Sequence, residues 1–475
     1  MVSSSPELTL QHLADVRRHY DAAPTGSTRL ARGYRSWLAH YYNLLIGAEA
    51  SVLEIGCGSG ELLAGLRARR KVGVDLSPRQ IEAARARLPD AEFHVQAGEE
   101  LALAERFDYI IISDTLNYAA DVQQLFGRLA AVSHEGTRLI VNFFSNLWHP
   151  ILSLADAVGL RAPHPRSSWL APSDVRNLLG LAGWEVIYEQ RRLLLPVRCL
   201  GLDRLVNRWL APLPLLSALC LTNFCVARPA PLKASAARTV SVVIPARNEA
   251  GNIEAAIRRT PRMGAGTELI FVEGNSTDDT WATIQRVARE NPQLDIKILQ
   301  QPGRGKGDAV RVGFAAATGD ILMILDADLT MPPEELPKFY EIVASGRAEF
   351  ANGCRLVYPM EKEAMQFLNL CANKTFGLIF SWLLGQPLKD TLCGTKVLSR
   401  EHYECIAANR AYFGDFDPFG DFDLLFGAAR LNLKIADVPI RYRERTYGTT
   451  NIQRWKHGWL LLRMVLFAAR KLKFV

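Results

Sequence analysis

No two cysteines in the sequence are spaced C-x-x-C. The eight present, Cys57, Cys199, Cys220, Cys225, Cys354, Cys371, Cys393 and Cys405, show no zinc-type spacing either. Neither a structural zinc site nor a disulfide framework is therefore expected. Most of these thiols lie in apolar stretches, where a free cysteine behaves as a small core residue, and a reducing compartment fits best. No segment reaches the ~20 uninterrupted apolar residues of a membrane-spanning helix. The N-terminal stretch MVSSSPELTLQHLADVRRHYD has no apolar signal-peptide core, so the expected location is cytoplasmic. Charge of one sign is also in short supply: 56 Lys and Arg against 49 Asp and Glu leave a net charge of +7. That mild excess suits phosphate ligands or an anionic membrane surface. The basic residues are scattered apart from a C-terminal cluster, which argues against nucleic acid as a partner. No internal repeat is present.

What the chain does have is ordinary globular composition, 49% hydrophobic and 22% charged over 475 residues. That length exceeds one hydrophobic core and implies two or three domains. Residues 7–47 read as helical and rich in aromatics (Tyr20, Tyr34, Trp37, Tyr41, Tyr42). Strand-like runs then alternate with helical stretches: SVLEI, KVGVDL, AEFHVQ, FDYIIIS and RLIVNFF, with WEVIYEQ and ALCLTNFCVA as late strands. Between the last two, LGLDRLVNRWLAPLPLL is apolar with isolated charges and reads as a lid or surface-docking segment. The Ala- and Pro-rich stretch ARPAPLKASAART reads as a linker. A second series follows it: TVSVVIPA, TELIFVEG, DIKILQQ and DILMILDAD. Strands alternating with helices predict a mostly parallel sheet in each half.

Two strand ends carry ligand-binding signatures. In the first half, Glu54-Ile-Gly56-Cys-Gly58-Ser-Gly60 closes a strand and opens a helix. Glycines there permit a sharp turn and leave room for a ligand against the helix N-terminus. Asp75 ends the next strand, where a carboxylate can accept both hydroxyls of a ribose. This half resembles class I S-adenosylmethionine-dependent methyltransferases. The resemblance implies that Glu54, Gly56, Gly58 and Gly60 hold the cofactor S-adenosylmethionine, its methionine end facing Glu54, Gly56 and Gly58. It implies further that Asp75 holds the ribose and that Asp114 and Asn117 line the methyl-transfer cleft. The sequence departs from the pattern at Ala97, where an acid commonly meets the adenine; Glu99 and Glu100 lie just beyond. No general base is evident, although O-methylation can rely on proximity and orientation.

In the second half, Asp326-Ala-Asp328 follows the buried run ILMIL. Two carboxylates at i and i+2 in one loop can share Mg²⁺ or Mn²⁺, which in turn bridges a diphosphate. Pro245-Ala-Arg-Asn248-Glu249, then Glu273 and Asp278, then Gly303-Arg-Gly305-Lys306-Gly307 precede it in order. The last supplies backbone donors and a cation suited to phosphate. This half resembles family 2 glycosyltransferases of GT-A fold, over about 240–450 most like the dolichol-phosphate mannose and glucose synthases. By that resemblance Pro245, Asn248, Glu249 and Glu273 contact the nucleoside, with Asp278 and Lys306 in the same donor site. Asp326 and Asp328 hold metal and diphosphate, and Arg355 faces a donor or acceptor phosphate. Asp390-Thr-Leu-Cys-Gly394-Thr-Lys396 forms the acceptor-side loop, and Arg445 with Gly448 closes over the diphosphate. Glu273-Gly-Asn275 departs from the family's usual two Asp and a Gly, leaving GDP- and UDP-hexose both open. Asp421 and Asp423 are placed near the reaction centre, as a base or as structural acids. Arg441, Arg443 and Arg445 alternate and would share one face if the segment were a strand.

The expected architecture is thus α/β with two doubly wound domains, an N-terminal Rossmann-like methyltransferase sheet (1–228) and a C-terminal GT-A sheet (240–450). A linker (229–239) joins them, and an amphipathic helix (451–475) ends the chain. Trp455 and Trp459 open that last segment and Arg470, Lys471 and Lys473 close it, flanks that suit a membrane interface. The implied activity is metal-dependent, inverting transfer of a hexose from a nucleotide sugar to polyprenyl phosphate, on the inner face of the membrane. The methyltransferase would act on a related glycan or lipid intermediate. The alternative is transfer to a sugar hydroxyl with a carboxylate base, the N-terminal half being a non-catalytic scaffold.

Overall fold

The computed structural model describes residues 6–26, 28–157, 170–231, 237–358, 367–410, 421–445, 447 and 454–475. Its contacts divide the chain into two compact units, Met1–Ala230 with Phe474, and Pro231–Lys473 with Val475.

The first unit is built on a seven-stranded sheet. Its strands are β1 (Ser51–Ile55), β2 (Arg70–Asp75), β3 (Glu92–Val95), β4 (Tyr109–Ser113), β5 (Arg138–Phe144), β6 (Trp184–Arg192) and β7 (Thr222–Pro229), in the order β3-β2-β1-β4-β5-β7-β6. β1 to β5 are parallel, and runs such as Ile110-Ile111-Ile112 are buried on both faces, as parallel strands covered by helices must be. The sheet is mixed rather than uniformly parallel, because β7 runs antiparallel to β5 and β6. Its register sets Thr222 opposite both Phe144 and Arg192. The 193–221 connection therefore leaves and re-enters at one edge of the sheet, and without a crossover the returning strand must be antiparallel. Helices Pro6–Ala22 and Arg29–Leu45 precede the sheet, and the second buries Leu38, Tyr41 and Tyr42 against it.

The second unit holds another seven-stranded sheet. Its strands are β8 (Thr239–Ala246), β9 (Gly266–Glu273), β10 (Asp295–Gln300), β11 (Ile321–Ile324), β12 (Phe350–Cys354), β13 (Lys396–Ser399) and β14 (Ile435–Pro439), in the order β10-β9-β8-β11-β13-β12-β14. β8 to β11 are parallel, β13 is antiparallel to both neighbours, and β14 is parallel to β12. Val242, Ile244, Phe271, Met323 and Leu325 form the centre of one buried cluster.

The alternating arginines correct one expectation. β14 stops at Pro439 and residues 440–445 form no strand. The Arg443 amide donates to the Thr330 carbonyl at 2.9 Å, so the backbone pairs with the loop after β11 rather than with a sheet neighbour. The last helix, Arg454–Leu472, buries Leu461, Met464, Val465, Ala468 and Ala469 and packs against the helix Phe367–Leu384. Trp459, Leu462 and Leu466 remain exposed. Among the described residues no helix is long and apolar enough to cross a membrane.

Candidate active sites

In the first unit the turn after β1 has Gly56, Gly58 and Gly60 at φ 72°, 50° and 72°, the left-handed region that only glycine enters without strain. At Gly56 a Cβ would lie 2.3 Å from the Thr115 side chain, whereas at Gly58 nothing lies within 4 Å. The turn is thus packed below and open above. Asp75 braces it: its Oδ2 accepts from the Gly58 amide at 2.8 Å and its Oδ1 from the Ser77 amide at 2.9 Å. Burial raises the Asp75 carboxyl and these two amides pull the other way. Glu54, 1% exposed, is pushed by burial to about 8, an effect moderated by Arg35 and reinforced by Asp75. Its buried Oε2 has no hydrogen-bond partner. An orphaned acid beneath an open glycine turn fits a ligand carrying positive charge, such as the ammonium and sulfonium of S-adenosylmethionine.

Asp114 follows β4 with φ 53°, a left-handed conformation that is uncommon outside glycine. Its Oδ1 accepts from the Tyr34 hydroxyl at 3.1 Å and from Asn142 Nδ2 at 2.7 Å. Asn142 Oδ1 accepts in turn from the Tyr42 hydroxyl at 2.6 Å. Burial, and then the negative charge of Asp114, raise both tyrosines well above their ordinary range. Asn117 is buried nearby in sequence. Glu99 turns inward, accepting from the Ala120 amide at 2.8 Å, and so organises the loop after β4. Tyr34 and Asn142 were not singled out from the sequence as site residues. The signal available was a polar residue in the apolar run RLIVNFF.

In the second unit the acids after β11 are each met by a cation. Asp326 Oδ1 lies 2.6 Å from Lys306 Nζ. Burial raises this carboxyl, but Lys306, Lys396 and Arg355 outweigh it and hold it below the usual carboxylate range. Gly394 sits directly against the pair, since a Cβ there would come within 2.1 Å of Asp326 Oδ2. Asp328 Oδ1 accepts from the Thr330 hydroxyl at 2.9 Å, and its Oδ2 lies 2.6 Å from Arg445. The other arm of Arg445 reaches Glu249 Oε1 at 2.9 Å, so one guanidinium bridges acids from the loops after β8 and β11. Burial raises the Glu249 carboxyl; Asn252 and Arg445 oppose that, while Asp328 adds to it.

The residues expected on the nucleoside side are held by neighbouring polar groups. Pro245 lies in β8 opposite Val272. Asn248, at φ 57°, accepts from the Thr277 amide at 2.8 Å. Glu273 accepts from the Ser276 amide and from Gln300, and Asp278 from Thr280. They tie the loop after β8 to the loop after β9, and Glu273 to the end of β10. Among the described residues no cluster of three or more His, Cys, Asp or Glu is present. Asp326 and Asp328 nevertheless fit Mg²⁺ or Mn²⁺, which are commonly held by one or two carboxylates with substrate phosphates completing the shell.

One expectation is corrected here, and one open alternative is narrowed. Arg355 is not turned toward a phosphate: its Nε and Nη2 make a bidentate pair with Asp390 at 2.8 and 2.9 Å. Asp390 is fully buried and also takes Asn373 Nδ2 at 2.9 Å. Burial works against its charge, but Arg355 brings the carboxyl down to about 2. The pair anchors the 390–395 loop to β12, because Asn352 in that strand donates to the Asp390 carbonyl. Asp423 is 9% exposed and salt-bridged to Arg410 at 2.8 Å, so its carboxylate is committed. Asp421 opens the helix Asp421–Arg430, with its side chain outside the described residues, as is Gly448. Lys396, wholly buried in β13, donates to the Cys393 carbonyl; the sequence offered it only as the end of the Asp390–Lys396 motif.

Residues 29–189 match the family model described as a methyltransferase domain, and residues 241–407 match glycosyl transferase family 2. A dolichol-phosphate mannosyltransferase of Pyrococcus furiosus is 32% identical over 222 residues, 45% of this chain and 59% of the relative. The low-salt glycan biosynthesis hexosyltransferase Agl6 of Haloferax volcanii is 28% identical over 49% of this chain and 54% of the relative. An undecaprenyl-phosphate 4-deoxy-4-formamido-L-arabinose transferase of Pectobacterium carotovorum is 35% identical over 45% of this chain and 62% of the relative. The chain thus spans little more than half the length of these curated relatives.

Proposed function

Because the chain joins a methyltransferase domain to a family 2 glycosyltransferase domain, we propose that it runs two linked transfers. The second unit moves a hexose from a GDP- or UDP-sugar to polyprenyl phosphate, and the first methylates a related glycan or lipid-linked intermediate. The observation that carries the first assignment is the paired arrangement of Lys306 on Asp326 and Arg445 on Asp328 and Glu249. It gathers three acids and two cations at the carboxyl ends of β8 and β11, where α/β sheets bind ligands. The polyprenyl-phosphate acceptors named for two of the relatives support the acceptor class.

In this mechanism an oxygen of the acceptor phosphate attacks the anomeric carbon in line. The bond to the donor diphosphate breaks, with inversion, and the nucleoside diphosphate leaves. Asp326 and Asp328 would hold a divalent ion, which would supply charge stabilisation to the diphosphate. Lys306 and Arg445 are preorganised to take up the charge that develops on the leaving group. A phosphate acceptor is already ionised and needs no strong base, which agrees with the commitment of Asp423 to Arg410; a hydroxyl acceptor would need a free carboxylate.

In the first unit Glu54, the Gly56–Gly60 turn and Asp75 would hold S-adenosylmethionine, which supplies an activated methyl group. Asp114, hydrogen-bonded to Tyr34 and Asn142, would receive a proton from the acceptor. The two proposed domains are residues 1–228 and 240–450, joined by 229–239. The helix within 451–475 contributes peripheral contact with the cytoplasmic leaflet through Trp459, Leu462 and Leu466. A thermal-shift screen of GDP- and UDP-sugars with Mn²⁺ tests the donor reading. Stabilisation by one donor class, lost in Asp328→Ala, is expected, together with label transfer to a short polyprenyl phosphate. Transfer to sugar hydroxyls but not to the phosphate would overturn it.

A further inference from the structure

The first unit carries an apolar surface that its own core does not use. The connection between β6 and β7 forms only short helical turns, Leu202–Leu205, Val206–Leu210 and Pro214–Ser217. Leu200, Leu202, Leu205, Trp209, Leu215 and Leu219 are all exposed along it, Leu215 to 88%. A monomer rarely leaves so many large apolar side chains together in solvent without a partner. The segment after β5 extends the same surface. Leu147, Ile151 and Leu154 are exposed there, and Trp148 Nε1 donates to the Leu219 carbonyl at 2.8 Å.

The exposed charge along the 191–221 connection has one sign. Arg191, Arg198, Arg204 and Arg208 are exposed. The single acid between positions 190 and 221 is Asp203, which is buried and accepts from Trp37 Nε1 at 3.3 Å. The Arg208 guanidinium lies over the Trp209 ring, 5.5 Å from its centroid. Along 191–221, leucines with tryptophan and arginine and no exposed carboxylate are the composition of a headgroup-level surface. A second copy of the same face is a poor occupant, because a two-fold contact would set arginine against arginine.

The surface also lies beside the methyl-transfer cleft. The register of β5, β6 and β7 brings the 193–221 connection out at the edge where β5 and β6 end. The Ser145 amide donates to the Leu221 carbonyl at 2.7 Å. Arg198 packs on Gly33 and donates to Ser36 Oγ at 3.2 Å, on the helix whose Tyr34 binds Asp114.

We propose that this face of the methyltransferase unit docks on an anionic lipid bilayer and so presents its cleft to lipid-linked acceptors. The docking stands on the surface itself; the choice of a lipid-linked methyl acceptor rests on the polyprenyl-phosphate reading. Hydrogen exchange of the full chain, with phosphatidylglycerol–phosphatidylcholine vesicles or with phosphatidylcholine alone, tests it. Amides of 200–219 gain protection on the anionic vesicles only, and salt weakens the effect. Leu215→Glu and Arg208→Glu each lower partitioning about ten-fold and abolish the local protection, with S-adenosylmethionine binding retained as the control for folding. Vesicle binding that leaves 200–219 unprotected would overturn the proposal, as would no vesicle binding at all. Protection that grows with protein concentration in the absence of lipid would overturn it in favour of a chain–chain interface. Glycosyl transfer to a short polyprenyl phosphate in detergent, assayed in parallel, separates the two readings. Its survival while docking fails leaves the transferase reading standing, and its loss in the wild type removes that reading whatever the vesicles show.

Discussion

At the scale of single residues, Arg445 is the most consequential side chain in the second unit. It holds Asp328 and Glu249 at 2.6 and 2.9 Å, a positive charge beside an acid assigned to a divalent ion. In the proposed reaction a metal and donor would compete with the guanidinium for Asp328, which would free Arg445 to meet the diphosphate. Arg445→Ala should lower kcat/KM on the order of 10²-fold, as expected when a preorganised charge partner of the leaving group is removed. The same variant should be stabilised more than wild type by Mn²⁺ alone in a thermal-shift titration, since its acids are no longer covered. Equal stabilisation of the two proteins would sink the competition. Glu54 makes a pH prediction. Its folded pKa of about 8 lies above the ordinary carboxyl value of 4.5, so the protonated acid is the form that stabilises the fold. That contribution is whole below about pH 4.5 and is lost as pH rises through about 8, on the order of 4 kcal/mol in all. Thermal unfolding of wild type should weaken across this window relative to Glu54→Gln, and parallel curves for the two would count against a buried, proton-bearing Glu54.

At the scale of elements, the buried Asp390–Arg355 pair ties the 390–395 loop to β12 and, through Gly394, to Asp326. Asp390→Asn leaves a buried guanidinium without its counter-charge and should destabilise the chain by roughly 3–5 kcal/mol, read as a shift of the denaturation midpoint. Its folded pKa of about 2 lies below the ordinary 3.8, so this contribution is present above pH 3.8 and fades as pH falls toward 2. A variant as stable as wild type at neutral pH would show that the pair is dispensable. The elements also show what was legible in the sequence. The run Ile110-Ile111-Ile112 and the turn at Gly56, Gly58 and Gly60 signal a parallel strand and a ligand turn by local chemistry alone. The direction of β7 is not local: it follows from the return of the 193–221 connection to the edge it left. The alternating arginines misled for a related reason. Period-2 spacing states which side chains could share a face, whereas beyond Ile440, whose amide still donates to Cys354 in β12, the described backbone turns to the loop after β11 through Arg443 and Thr330 and forms no ladder. Arg355 reads as a free charge because its partner Asp390 lies 35 positions away, and Asp423 reads as either base or structural acid because Arg410 lies 13 positions away.

At the scale of the whole molecule, the two candidate sites belong to separately packed units. Buried clusters around Leu53 and Leu62 serve the first sheet and one around Val242 serves the second. Substitutions that share no partners generally act independently on stability and binding. Asp75 is held by the Gly58 and Ser77 amides and Asp328 by Thr330 and Arg445, so the two share none. Asp75→Ala should abolish the heat of S-adenosylmethionine binding in calorimetry while leaving Mn²⁺–nucleotide-sugar stabilisation within about 0.5 kcal/mol of wild type. Asp328→Ala should do the reverse. If either variant removes both responses, the sites are energetically coupled and the two reactions constitute one allosteric system. If the first response is absent even in wild type, the methyltransferase unit is a scaffold. Loss of one response at a time would establish two independently filled binding sites, as expected if the proposed reactions are linked by a shared intermediate rather than by energetic coupling.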